Sequence, residues 1–463
     1  MKRGGSMELD ATIWSGLPFE MVERVLSSLP VPDLCRYCSV CKTWNRLIRS
    51  PKFGALRAQS SAKRDASFIA MRCVLGQSEG THEGWCFLDL EARRWYTVKD
   101  DHPKLPKPLL GCSVAVMDGG LVCRYLKPLT IGYQPVVPFN DTNAMRFSII
   151  VYNPISKTLK ELPSVPGHLK STSYPELNLV VDNVSQRFRI FLINQHVCAS
   201  LAASLKIQND PLMRIFDSAT NEWQGSANPF CISSRGVGSV SSTVVFQGFL
   251  YALFGTCRGY IEGHCETIEQ EIWRYYIGEN VWEKVNVDIA ATLCSIMLFV
   301  SANRLFRMGW LFDKSRRGDL EQWRLEVYEI KTPGMVLERL FEMSKGNAVD
   351  LFGVKSSLRN PEIVASGFGN SILLTCKSSQ KIMVLDLESR MWDRLPANPE
   401  WTHPGDEYYY NFESYFANPI SHMNVFLPSS LWWQEGEGAA DEAQVLLLKK
   451  ATTLSYPEVI VID

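Results

Sequence analysis

The side chains able to do covalent or metal chemistry are scattered along this chain. Its seven histidines (His82, His102, His168, His196, His264, His403 and His422) include no pair at ligand spacing, and His264-Cys265 is the one adjacent soft-ligand couple. Cys35, Cys38 and Cys41 stand three residues apart. Structural zinc takes four Cys or His ligands, and no fourth lies nearby; the same spacing suits a helical packing seam. There is no nucleophile elbow, no H-E-x-x-H, no glycine-rich phosphate loop after a strand and no calcium loop. A carboxylate pair assembled from distant loops is the catalytic option left open. The expectation is a chain without catalytic residues, metal or cofactor, whose chemistry is recognition by arginine and aromatic side chains.

The bulk numbers fit that expectation. The 463 residues are 46% hydrophobic and 21% charged, enough for a sizeable core. A formal net charge of -1 argues against nucleic acid, which calls for a basic footprint. The charge is uneven: residues 1–66 hold 11 Lys+Arg against 6 Asp+Glu. That excess reads either as a solvated face or as a surface that steers an acidic protein partner. No apolar run approaches the ~20 residues of a membrane span, and Met1–Asp10 lacks the apolar stretch of a signal peptide. The 13 cysteines are then expected to be reduced thiols in the nucleus or cytoplasm.

The elements that must position recognition residues start at Leu17-Pro18. Met21, Val22, Val25, Leu26 and Leu29 fall on one helical stripe. Pro30 and Pro32 stop that helix, Asp33 is placed to cap a second through Cys38, and Ser39 to cap a third carrying Val40, Cys41, Trp44, Leu47 and Ile48. Three short helices enclose little volume. Their apolar residues exceed it, so some must cover a partner.

In Leu17-Pro18, Val25-Leu26-x-x-Leu29-Pro30, Asp33-Leu34 and Val40-Cys41-Lys42-x-Trp44 the segment resembles the F-box. The lead-in Ile13-Trp14-Ser15-x-Leu17-Pro18 is most similar to plant F-box proteins related to the unusual floral organs type. The resemblance implies an F-box over residues 11–57 that binds a Skp1-type adaptor and, through it, cullin 1 and a RING subunit. It also implies that Leu17, Pro18, Leu26, Leu29, Leu34, Val40, Cys41 and Trp44 make that contact.

Beyond residue 66 a turn signature recurs six times, at intervals of 53 to 64 residues: Asp89…Trp95, Asn153…Leu159, Asp217…Trp223, Tyr276…Trp282, Glu329…Met335 and Asp386…Trp392. Upstream of five of them lies a second hairpin with a tight turn, at Gly119-Gly120, Asp182-Asn183, Gln247-Gly248, Ala302-Asn303 and Gly369-Asn370. Such residues accept positive φ. Each unit thus reads as four strands, one propeller blade with a long loop added. The first unit is a strand short, and Val445–Lys449 or Glu458–Ile462 is expected to complete it and close the ring. The whole resembles a kelch-type β-propeller over residues 66–463, a mainly β fold of six blades, with seven the alternative.

In such a blade the second turns and the blade connections share one face. Pro128–Arg146, Gln195–Leu212, Thr256–Glu271, Asp313–Gln322 and Asn398–Phe416 are long and should gather there. Long loops in compact domains tend to bind. Arg258, Arg316, Arg317, Trp401, Tyr408, Tyr409 and Tyr410 are the candidate contacts to a target protein. The reading is a non-catalytic substrate-recognition subunit of a Skp1–cullin–F-box ubiquitin ligase. A non-degradative scaffold for a transcription factor and a ligand-gated receptor are the alternatives.

Overall fold

The structure is a computed structural model. It describes most of residues 16–56, the strands and many of the tight turns between 68 and 396, and residues 448–450 and 460–462. Residues 1–15, 57–67, 100–112, 198–212, 227–237, 313–322, 349–362 and 397–447 are among those outside the description.

The N-terminal part contains helices α1 (Phe19–Ser27), α2 (Val31–Cys38) and α3 (Lys42–Ile48). The described residues after them are mainly strand, and five runs of four consecutive strands form antiparallel blades. Blade I joins Ser113–Asp118, Leu121–Leu126, Ser148–Asn153 and Thr158–Glu161; blade II joins Glu176–Asp182, Arg187–Ile193, Met213–Asp217 and Glu222–Gly225. Blade III runs Gly238–Phe246, Phe249–Ile261, His264–Tyr276 and Val281–Val285; blade IV runs Leu293–Ser301, Arg304–Phe312, Trp323–Lys331 and Val336–Ser344. Blade V is Ile363–Phe368, Ser371–Cys376, Ile382–Asp386 and Trp392–Leu395.

The described residues therefore form a propeller of five such blades, and the expectation of six or seven is corrected. The remaining unit is a sheet of another make. Phe68–Leu75, His82–Asp89 and Arg94–Lys99 pair antiparallel in this leading sheet. A C-terminal strand does join it, but Ile460–Ile462 runs parallel to Arg94–Lys99 on the outer side, with Leu448–Lys450 beyond. Phe68–Leu75 is the other end of this sheet among the described residues.

Period-two alternation explains why the blades stack. Each strand sends successive side chains to opposite faces, so a blade packed on both faces needs apolar residues on both. In blade IV, Leu298, Leu305 and Ile330 join Val244, Tyr251 and Ile272 of blade III, while Phe299, Phe306 and Val327 join Ala365, Ile372 and Leu385 of blade V. Similar cores lie between blades I and II and between II and III. Polar bonds tie the innermost strands together. Asn178 Nδ2 donates to Thr243 Oγ1 at 2.6 Å, and the Leu298 amide donates to Ser242 Oγ at 2.9 Å. The Val181 amide donates to Asp118 Oδ2 at 2.7 Å. Between blades III and IV the guanidinium of Arg307 is fully buried and donates to Gln270 Oε1. Burial pulls its pKa down to about 10.

The turns follow their chemistry unevenly. At the third turn of blades II, III and V a backbone bond closes five residues, as from the Asn221 amide to the Asp217 carbonyl at 2.9 Å, and the closing residue has positive φ. Asn221 and Asn280 suit that conformation; Arg390 takes it without such a side chain. In blade IV the positive-φ residue is Met335, and Lys331 pairs with Val336. The unit there is Lys331…Leu337, two residues later than the spacing Glu329…Met335 suggests. The inner turn of blade IV places both Ala302 (φ 49) and Asn303 (φ 54) in the left-handed region. Alanine pays about 1–2 kcal/mol there. Ala302→Gly keeps the amide that donates to the Gly369 carbonyl at 2.8 Å. It is expected to raise stability by about 1 kcal/mol, measured as an increased urea midpoint.

One buried ion pair makes the propeller acid-sensitive. Glu329 accepts from Arg304 through both carboxylate oxygens, with Lys331 Nζ 3.9 Å away. The Arg304 hydrogen bonds hold the Glu329 carboxyl below its ordinary value, outweighing burial, which pushes the other way. A depressed folded pKa means that the unfolded chain binds more protons as acid is added. The contribution is therefore complete above the unfolded value of about 4.3 and is lost as pH falls through the folded one. Glu329→Gln is expected to flatten the dependence of thermal midpoint on pH below about 5, where the native chain should still lose stability.

Candidate docking surfaces

The helical module is organised around Leu17-Pro18. Pro18 precedes α1 in an extended conformation (φ -55, ψ 142), and its carbonyl accepts from the Met21 and Val22 amides at 2.9 and 3.2 Å. Proline suits this place because the amide it lacks would find no helical partner. Val22 and Leu26 of α1, Leu34 and Cys38 of α2, Leu47 and Ile48 of α3, and Phe53 are buried. Glu23 is buried beside them, with Lys52 Nζ 3.2 Å from its carboxylate. Burial raises the Cys38 thiol to about 11 despite the nearby Arg49, so it stays protonated at neutral pH.

Two caps differ from expectation. Asp33 lies in the first turn of α2, not ahead of it. Cys41, not Ser39, caps α3: it is extended, and its Sγ accepts from the Trp44 amide at 3.4 Å.

The expected contact residues divide by burial. Leu26 and Leu34 have no exposed surface and belong to the interior. Leu17, Leu29 and Trp44 are half-buried, Trp44 with its ring 5.5 Å from that of Tyr37 in an edge-on contact. Pro18, Val40 and Cys41 are exposed. Three apolar residues outside the expected set are exposed as well: Phe19 at 49%, Met21 at 47% and Val25 at 37%. Pro18, Met21 and Val25 recur at three- and four-residue spacing, which puts them along one side of α1. Arg24, Lys42 and Arg46 are also exposed. The module thus presents apolar contacts among basic groups. The signal was in the sequence, since Met21 and Val25 lie on the apolar stripe and the stripe is wider than so small an interior can cover.

On the propeller, the long segment read at Thr256–Glu271 is a correction. Phe249–Ile261 and His264–Tyr276 remain paired from Phe249↔Tyr276 to Ile261↔His264, forming a hairpin that projects beyond those of the other blades. Gly255 and Gly259 suggest a loop, but Thr256, Tyr260, Ile261, Thr267 and Ile268 are strand-forming and prevail. Arg258 lies in this hairpin, at a register shift between Cys257 and Gly259. Gln195–Leu212 contains His196–Val197, which pairs with Gly238–Ser239 and so ties blade II to the innermost strand of blade III. Pro128–Arg146 contains a two-rung hairpin, Thr130–Ile131 with Gln134–Pro135. Arg316, Arg317, Trp401, Tyr408, Tyr409 and Tyr410 lie outside the described residues. Among the described residues no three of His, Cys, Asp and Glu come together as a metal cluster, and no helix is long and apolar enough to cross a membrane.

Residues 14–56 match the F-box domain family. The N-terminal module is an F-box domain. The chain is 26% identical over 248 residues to F-box/kelch-repeat protein At3g61590 of Arabidopsis thaliana, covering 52% of each chain. It is 23% identical over 248 residues to F-box/kelch-repeat protein At5g43190 of the same plant, covering 52% of this chain and 50% of that one. The chain thus spans about half the length of the curated relatives it matches. With its F-box followed by a β-propeller it is similar to plant F-box/kelch-repeat proteins. Among solved structures, the β-propeller domain of the Trilobed protease from Pyrococcus furiosus matches at 9% identity over 72% of this chain and 82% of that one, with a TM-score of 0.35.

Proposed function

We propose that this chain is a substrate-recognition subunit of a Skp1–cullin–F-box ubiquitin ligase. The observation that carries the reading is the exposed apolar surface of the F-box, where Phe19, Met21, Val25 and Val40 face solvent beside the buried Val22, Leu26, Leu34, Leu47 and Ile48. Apolar surface held in water is a docking surface awaiting its partner. A Skp1-type adaptor, bound there, links the chain to cullin 1 and a RING subunit. The propeller holds the target on its loop-bearing face, with Arg258 in the projecting hairpin and Arg316, Arg317, Trp401, Tyr408, Tyr409 and Tyr410 as further contacts. No residue of this chain performs chemistry; the contribution is to bring target and ubiquitin-carrying enzyme together. The ligase would work in the nucleus or cytoplasm.

The test is co-purification from plant cells. The intact chain should bring down a Skp1-type adaptor with cullin 1, and blocking the proteasome should make a propeller-dependent target accumulate. Absence of the adaptor would overturn the reading. A bound target whose level ignores the proteasome would favour a scaffold that regulates without degradation.

A further inference from the structure

Charge is divided between the two parts of this chain. Residues 1–66 hold 11 Lys+Arg against 6 Asp+Glu, a net +5, so with a total of -1 the remaining residues carry -6. Much of the excess sits at exposed places on the F-box helices. Arg24 is exposed on α1, three residues after Met21 and next to Val25, both exposed as well. Lys42 and Arg46 are exposed on α3, four residues apart and therefore neighbours on its surface. Lys42 directly follows the exposed Val40 and Cys41. On both helices a basic group thus adjoins exposed apolar residues.

On the propeller several cations are held by carboxylates. Arg189 pairs with Asp217, Arg274 with Glu283, Lys284 with Glu271, and Arg324 and Arg339 with Glu342. In the F-box Lys52 pairs with Glu23, but Arg24, Lys42 and Arg46 form no ion pair among the described residues. Residues 16–56 contain three carboxylates, of which Glu23 is buried, Asp33 is half-buried and Glu20 is exposed. A cation whose charge is not cancelled nearby adds to the field a partner feels, out to about 8 Å at physiological ionic strength.

We propose that Arg24, Lys42 and Arg46 steer an acidic protein surface onto the exposed apolar residues of the F-box. The inference rests on the adaptor reading above and adds the chemistry of the partner's surface, which is carboxylate-rich around an apolar patch. A protein fits better than nucleic acid, because the basic groups are few and stand beside apolar side chains, whereas a phosphate backbone calls for an extended basic footprint. A total of -1 gives the chain as a whole no attraction for an acidic partner. The attraction comes from the separation of charge, and the acidic remainder of the chain disfavours approach from the propeller. Charges at the margin of a contact act mainly on the rate of encounter and on its salt dependence.

Stopped-flow association of the intact chain with a purified Skp1-type adaptor, at rising ionic strength, tests this. The native association rate should fall at least about tenfold from low to high salt, with dissociation within about twofold. Arg24→Gln with Lys42→Gln and Arg46→Gln changes three exposed positions, where folding is not at risk. It should slow low-salt association about tenfold and flatten the salt dependence. Arg187→Gln with Arg390→Gln and Arg394→Gln removes the same charge from exposed positions on the propeller, and should stay within about twofold of the native rate. The steering is refuted if the native rate ignores salt, if the F-box variant associates at the native rate, or if its loss falls on dissociation. It is refuted equally if the propeller variant slows as much, or if duplex DNA displaces the adaptor at physiological salt. A native chain that does not bind the adaptor at all overturns the function proposed above and this inference with it, whereas binding at a salt-independent rate overturns the steering alone.

Discussion

Gly367→Ala is expected to destabilise the propeller by about 3 kcal/mol, toward the upper end of the range for overpacked sites. A Cβ at this position would lie 1.8 Å from the carbonyl oxygen of Val300 and 2.5 Å from the Ser301 Cβ. Both belong to the innermost strand of blade IV, and neither is the flexible end of a long side chain. Relief would require the backbones of the two strands to separate. That movement would pull on several contacts at once. The Ser301 hydroxyl donates to the Ser371 carbonyl at 2.6 Å, the Ala302 amide to the Gly369 carbonyl at 2.8 Å, and the Ala365 amide to Met297 Sδ at 3.1 Å. Packed interiors do not yield continuously, so the cost falls on the whole junction. Gly278→Ala is the control, because a Cβ there meets nothing within 4 Å. Scanning calorimetry should show a fall of several degrees for Gly367→Ala, with Gly278→Ala within about a degree of the native chain. Equal midpoints for the two variants would refute the close approach of blades IV and V.

Where a side chain's type dictates its backbone or face, the sequence was informative. Alternating apolar residues with turn residues between them located the paired strands of blades I, II and V, and Asn221 and Asn280 marked left-handed positions that asparagine accepts. The same turn is made by Arg390 in blade V and by Met335 in blade IV, whose types carry no such information. There the spacing Glu329…Met335 placed the unit two residues too early. The projecting hairpin of blade III was hidden because Gly255 and Gly259 break the apolar pattern while the cross-strand register carries on through two shifts. The place of the C-terminal strand is a long-range choice. Ile460–Ile462 has the composition for either edge of the leading sheet, and only the assembled fold puts it beside Arg94–Lys99. In the F-box, helical periodicity grouped Met21, Val22, Val25 and Leu26 in one arc. It could not separate the buried pair, Val22 and Leu26, from the pair that faces solvent, since that depends on what packs against the helix.

That separation makes the proposed adaptor surface testable without unfolding the module. The variant Met21→Glu with Val25→Glu is expected to weaken binding to a purified Skp1-type adaptor by at least about 100-fold, with helical content and thermal midpoint unchanged. Both side chains keep a large exposed share in the chain alone, so the folded module gives up less apolar burial than it would at Leu26 or Leu34. Glutamate forms helix better than valine and about as well as methionine; a carboxylate at 21, near the start of α1, interacts well with the helix dipole and offsets the one at 25, which in the last turn opposes it. Binding loses far more. Covering a fully exposed apolar side chain of this size is worth about 1.5–3 kcal/mol; with 47% of Met21 and 37% of Val25 left to cover, the two together give about 1–2.5 kcal/mol. About 1.4 kcal/mol is a tenfold change in affinity, and the cost of desolvating two new carboxylates adds to it. Several of the residues singled out by the family pattern do not allow so clean a test. Leu26→Glu and Leu34→Glu would place charges at positions with no exposed surface and collapse the helices themselves. Leu17→Ala with Pro18→Ala alters the start of α1, because the Pro18 carbonyl holds the first-turn amides in place. Titration calorimetry with the adaptor, alongside circular dichroism, separates the cases. A doubly substituted chain that keeps its fold and still binds with native affinity would place the adaptor on another surface of the module.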